Sequence, residues 1–282
     1  MNAIKLRLFH FRERFARISL IVVAMILVVS VFIVMACNRQ EPTDKQDRAR
    51  EVEVTVEEAV EIVRQFAGEP LPELTLRETI DNPIARLYIL KDGSAKYWVN
   101  VNNGAIVGVQ YIDKIPLSPD VNISMEEAEA AAIGFARKMY PGFSNLVLTE
   151  RQLIDHGANK EYLFVWTQTL NSAITPNTVH VSVNPVTGEV CTYMSGSRDV
   201  QPFDPPKVSA SEAKTIAKNT FKTEKDVLVS EPVLAITFSS SGEQMLVWQV
   251  QVDEIVSPSE YQHGAQYSID AYTKEIVQTG VY

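Results

Sequence analysis

The sequence predicts an α+β protein, with an N-terminal transmembrane helix followed by three tandem units, each one amphipathic helix packed on a small antiparallel sheet. Three observations predict it. A long apolar run lies near the start, three helices open on the same capping pattern, and three turns of like sequence close the stretches that follow them.

The apolar run is Ile18 to Ala36, ISLIVVAMILVVSVFIVMA, nineteen residues without a charge. At ~1.5 Å per residue it spans roughly 28 Å as a helix, about the thickness of a hydrocarbon core. Lys5, Arg7, Arg12, Arg14 and Arg17 precede it, opposed only by Glu13. Basic residues before a first span keep the N-terminus in the cytoplasm. The expectation is therefore a basic cytoplasmic stretch at 1–17, a single-pass anchor or signal segment at 18–36, and an extracytoplasmic body. A cleaved signal peptide has a shorter apolar core, ~7–15 residues, which favours a retained anchor. The alternative is a lipoprotein. Val34-Met35-Ala36-Cys37 is similar to a bacterial lipobox and makes Cys37 the candidate lipidation site, although Met35 stands where a small residue is usual.

Residues 37–52 are polar and charged and read as a flexible tether. The net charge of the whole chain is −9. Without residues 1–36, which hold five basic side chains and one acidic, it becomes −13. An acidic body repels phosphate backbones, which argues against nucleic acid as a partner. Of the two cysteines, Cys37 sits at the expected membrane edge and Cys191 in a strand-like run. An intrachain disulfide is not expected, and Cys191 reads as a small buried apolar residue.

Three helix starts follow. Thr55 precedes Glu58, Ser124 precedes Glu127 and Ser209 precedes Glu212. This spacing is the capping box, in which hydroxyl and carboxylate satisfy backbone amides that have no partner at a helix start. Apolar residues then recur at helical spacing: Ala59, Ile62, Val63 and Phe66, then Met125, Ala128, Ala132, Phe135 and Met139, then Ala213, Ile216, Ala217 and Phe221. Gly68 ends the first helix and Pro141-Gly142 the second. Strand-like runs come after each helix, among them residues 97–101, 162–166, 179–183 and 245–250. Val179, Val181 and Val183 alternate with His180 and Ser182, which places the two polar residues on the other side of the strand.

The three turns read Asn102-Asn103-Gly104, Asn184-Pro185-Val186-Thr187-Gly188 and Asp270-Ala271-Tyr272-Thr273-Lys274. An Asn or Asp side chain can accept hydrogen bonds from turn amides, and glycine supplies a positive φ. Lys274 replaces glycine in the last, which is expected to weaken that turn or shift its geometry. Ser124 and Ser209 are 85 residues apart and Asn184 and Asp270 are 86 apart, so start and end keep step. The expected units are 53–115, shorter and divergent, then 120–200 and 206–282. Proline clusters at Pro116 and Pro119, and at Pro202, Pro205 and Pro206, stand between them.

A helix opening on Glu-Ala and strands closing on such a turn resemble a PepSY-type domain. The residues that carry the likeness are Glu127-Ala128 with 181–190, which read VSVNPVTGEV, and Glu212-Ala213 with 267–276, which read YSIDAYTKEI. Lys274 departs from the glycine of that family. The tandem arrangement behind an anchor is similar to YcdB/YcdC-like repeat proteins of Gram-positive bacteria. The resemblance implies an extracytoplasmic binding or regulatory module, in some cases one that restrains a peptidase, and it brings no catalytic residues with it.

The sequence holds no zinc-binding His-Glu-x-x-His, no Gly-x-Ser-x-Gly elbow, no phosphate-binding loop and no Cys-x-x-Cys. His10, His156, His180 and His263 read as surface or loop residues, and Asp92, Asn184 and Asp270 as turn formers rather than calcium ligands. No cofactor, metal site or catalytic residue is assigned. Trp98, Trp166 and Trp248 are candidate interaction aromatics, with packing beneath a helix as the alternative, since exposed apolar patches mark binding surfaces. The functional expectation is a non-enzymatic, membrane-anchored binding or regulatory protein with a protein or envelope partner. The alternatives are an envelope hydrolase with a site between units, or a structural spacer.

Overall fold

A computed structural model describes residues 53–68, 73–81, 85–257 and 263–282. The expected anchor at 18–36, the tether and Cys37 lie outside the described residues. No helix among the described residues is long and apolar enough to cross a membrane.

The expected fold class does not hold. The chain is mostly β, with thirteen strands in one hydrogen-bonded sheet and three helices among the described residues. It is not a series of three separate helix-on-sheet units. By contact density the described residues divide into two compact units, one within 53–203 with 236–245 and the other within 204–235 with 246–282.

The first unit contains α1 (Val56–Ala67), β1 (Thr75–Asp81), β2 (Arg86–Lys91), β3 (Ala95–Asn100), β4 (Ile106–Tyr111), α2 (Met125–Met139), β5 (Val147–Asp155), β6 (Lys160–Leu170), β7 (Ala173–Val183) and β8 (Val190–Gly196). Its strands run antiparallel in the order β1-β2-β3-β4-β8-β7-β6-β5. The decisive pairing is β4 on β8, with Gly108 opposite Met194, Val109 opposite Tyr193 and Gln110 opposite Thr192. An edge strand carries a row of backbone amides and carbonyls without partners. Pairing β4 with β8 removes two such edges. It also joins the two stretches that Pro116 and Pro119 were expected to separate.

Both helices of this unit start as capping boxes. The Thr55 hydroxyl accepts from the Glu58 amide at 3.2 Å while Glu58 accepts from the Thr55 amide at 2.7 Å, and Ser124 and Glu127 repeat the exchange at 3.2 and 2.8 Å. Gly68 ends α1 at φ 75°, a left-handed conformation that glycine adopts without strain. The α2 helix buries Ala128, Ala132 and Ala136 completely. A stripe of alanines lets the helix lie close to the sheet, above Phe164, Trp166, Val179, Val181 and Tyr193. Ala59 and Val63 of α1 sit likewise over Leu90, Tyr97, Val99 and Val109.

The second unit contains α3 (Ala210–Thr220), β9 (Val227–Val229), β12 (Gly264–Asp270) and β13 (Ile276–Val281). Strands β10 (Val233–Phe238) and β11 (Gln244–Glu254) each run across the division. Within this unit β9, β11, β12 and β13 pair antiparallel in that order. Ala213 and Ala217 pack on Val250, Val252, Tyr267 and Ile269. The Tyr282 phenol donates to the Asp253 carboxylate and accepts from the Gln251 amide. Its ring crosses Gly264, where a Cβ would lie 2.7 Å from ring carbons.

Candidate functional site

The described residues singled out in the sequence each have their own local partners. Asn184 and Asp270 each open a turn, accepting from the amides two and three residues on (Val186 at 2.9 Å and Thr187 at 3.3 Å, Tyr272 and Thr273 at 2.8 Å). In the first turn this role falls to Asn100, which accepts from the Asn102 amide at 2.9 Å, so the turn opens two residues earlier than its sequence suggested. Gly104, Gly188 and Lys274 take φ of 71°, 77° and 73°. Lys274 therefore keeps the geometry of the glycines. Its ammonium donates to Glu212 at 2.9 Å, tying the turn to the capping box of α3. The backbone amide of Ser209 first, and then Lys274, hold the Glu212 carboxyl down at about 2.

The three tryptophans have different settings. Trp248 is half-buried against the α3 cluster and donates its indole N–H to the Val208 carbonyl at 2.8 Å. Trp98 is half-buried and lies across Gly108, where a Cβ would come within 2.9 Å of the ring and 2.6 Å of the Met194 sulfur. Gly108→Ala should accordingly cost about 1–3 kcal/mol through overpacking, read as a lowered midpoint in urea. An unchanged midpoint would mean that Trp98 moves aside freely.

Trp166 is 4% exposed and forms the floor of a groove. The groove arises because α2 ends at Pro141-Gly142 and a short 3₁₀ turn, Phe143–Asn145, swings the chain into β5. Phe143 packs edge-on to Trp166 with ring centroids 5.1 Å apart. Ile133, Leu146 and Leu148 complete an apolar lining, and Arg137, Tyr140 and Ser144 bring polar groups to a volume of about 510 Å³. Sequence reasoning picked out Trp166 but not the groove, whose walls come from three separate segments. Apolar lining with a few polar groups is the usual make-up of a ligand or side-chain pocket.

None of the described histidines lines the groove. His156 approaches Glu161 at 3.3 Å and His263 approaches Glu254 at 3.3 Å. His180 is not the surface residue expected. It is half-buried in the sheet, and loss of solvation pushes its imidazole down to about 4. Cys191 is buried, and burial pushes its thiol up to about 12, so thiolate chemistry is absent at neutral pH. Among the described residues, no group of three or more His, Cys, Asp or Glu could hold a metal ion.

Comparison with known proteins bears most directly on the second unit. Residues 207–279, from the loop before α3 into β13, match the family model described as peptidase propeptide and YPEB domain. That stretch is similar to a PepSY domain. The match covers about a quarter of the chain. Among solved structures the chain is similar to the Bacillus megaterium YpeB C-terminal domain, at 18% identity and a TM-score of 0.44, over 81% of this chain and 98% of that one. No curated protein matches. Within that stretch, the capping box of Ser209 and Glu212, the turn from Asp270 to Glu275 and the link between them form one connected motif.

Proposed function

We propose that this chain is a membrane-anchored regulatory protein whose extracytoplasmic body binds another polypeptide and restrains a peptidase, without catalysing a reaction itself. The observation that carries this reading is the PepSY match at 207–279, a family described by its peptidase propeptides. Propeptides act by binding the peptidase they accompany, so their domains need a surface for a polypeptide and no catalytic groups of their own. The apolar run at 18–36 behind a basic stretch supports the anchor and the orientation. The acidic balance of the body supports a protein or envelope partner over nucleic acid.

Peptidase activity in the envelope and culture fluid of source cells tests it, compared with cells lacking the chain and cells in which it is restored. Deletion should raise at least one activity severalfold, and restoration should lower it again. Unchanged proteolysis in every fraction would remove the peptidase-restraining role.

A further inference from the structure

We propose that the groove at the end of α2, together with the free edge of β5, seats an extended segment of a partner polypeptide, with an apolar or aromatic side chain on Trp166 and a neighbouring carboxylate on Arg137. The proposal deepens the polypeptide-binding reading given above.

Three observations carry it. The first is the edge itself. β5 is nine residues long and pairs only with β6 among the described strands. Its outer row of backbone groups is open to an added strand. The second is the distribution of charge along that edge. Charged side chains guard an exposed edge against pairing. On β5 they begin at the fourth residue, as Glu150, Arg151 and Asp155, with Arg151 fixed by Glu126 and Glu129 at 2.7 Å each. The first three residues, Val147, Leu148 and Thr149, carry none, and Val147 is 60% exposed. The unguarded end adjoins the groove, which Leu146 and Leu148 help to line.

The third is charge complementarity. Arg137 lines the groove and Lys138 follows it. Both are exposed and neither has an ion pair among the described residues, in a chain of net charge −9. The C-terminus of α2 contributes about half a negative charge, which two cations outweigh. The site therefore favours an anion beside an apolar group. Extended backbone, apolar side chain and nearby carboxylate together describe a polypeptide strand rather than a small acid.

The test uses the full-length chain in detergent micelles and a labelled eight-residue peptide of alternating Thr and Val, with one central Phe followed by Asp. Fluorescence anisotropy reads binding. The proposal expects saturable binding, weakened about tenfold by Arg137→Gln and by replacing the peptide's Asp with Asn. The two changes together should do no more than either alone. N-methylation of alternate peptide amides should abolish binding, because such a backbone cannot pair with β5. No binding at millimolar peptide would overturn the proposal. So would equal binding of the N-methylated peptide, equal binding by Arg137→Gln, or a free 3-phenylpropionate that competes as well as the peptide does. No peptidase enters the assay, so failure here leaves peptidase restraint standing, and failure of restraint leaves this result readable.

Discussion

Replacing Phe164 with alanine should lower the stability of the chain by about 3–5 kcal/mol, the range for removing a large aromatic side chain from a packed core. Phe164 is fully buried at the centre of β6. Its ring lies 6.0 Å from Trp166 and 6.4 Å from Tyr162, in a row of three aromatics beneath α2. The wall above that row is the alanine stripe of α2, with Met125, Ile133, Phe135 and Met139 of the same helix packed against the cluster beside it. Urea denaturation followed by tryptophan fluorescence measures the loss. Leu163, the neighbour on the opposite face and half-buried, should cost less as alanine. Equal losses at the two positions would mean that the helix-facing side is not the tighter core.

Acidification from pH 6.5 toward pH 4 should destabilise the chain by up to about 3 kcal/mol through His180 alone. The sign follows from burial. An unfolded histidine takes up its proton near 6.5, whereas in the folded chain burial delays uptake to about 4. Between those values the unfolded state binds more protons, so stability is intact above 6.5 and is lost as pH falls. Glu150 lies in register with His180 through Val165, and burial raises its carboxyl above the ordinary value. That group works in the opposite sense, favouring the folded state at low pH and losing its contribution as pH rises. The variant His180→Val separates them, because it should remove most of the loss of stability between pH 6.5 and 4 and leave the smaller part that lowered carboxyls such as Glu212 lose as the pH falls. An unchanged pH profile in that variant would show that other groups carry the acid sensitivity.

Local features were legible in the sequence and long-range pairing was not. The capping boxes at Thr55, Ser124 and Ser209 depend on residues three apart, and they form as hydrogen bonds between those same residues. The turns at Asn184 and Asp270 are local in the same way. The pairing of β4 with β8 joins residues more than eighty apart, and nothing in the alternation of either strand names its neighbour. That one pairing turns small separate sheets into a larger one and overturns the expected fold class. His180 shows a related limit. Alternation in β7 assigns it correctly to the face opposite Val179 and Val181, but polar residues on a second face imply exposure only if that face meets water. The groove was hidden because Ile133, Phe143 and Trp166 are gathered by a helix end, a 3₁₀ turn and a neighbouring strand. Lys274 was expected to disturb its turn because lysine rarely adopts a positive φ. Its ammonium finds Glu212, a partner 62 residues away that no local pattern indicates.

The measurement that bears most directly on regulation by binding is in-cell crosslinking of the full-length chain, followed by mass spectrometry of the captured species. The account predicts recurrent capture of one envelope or secreted peptidase, lost when residues 53–282 are deleted and residues 1–52 are kept. Capture of abundant neighbours alone, unchanged by that deletion, would contradict it.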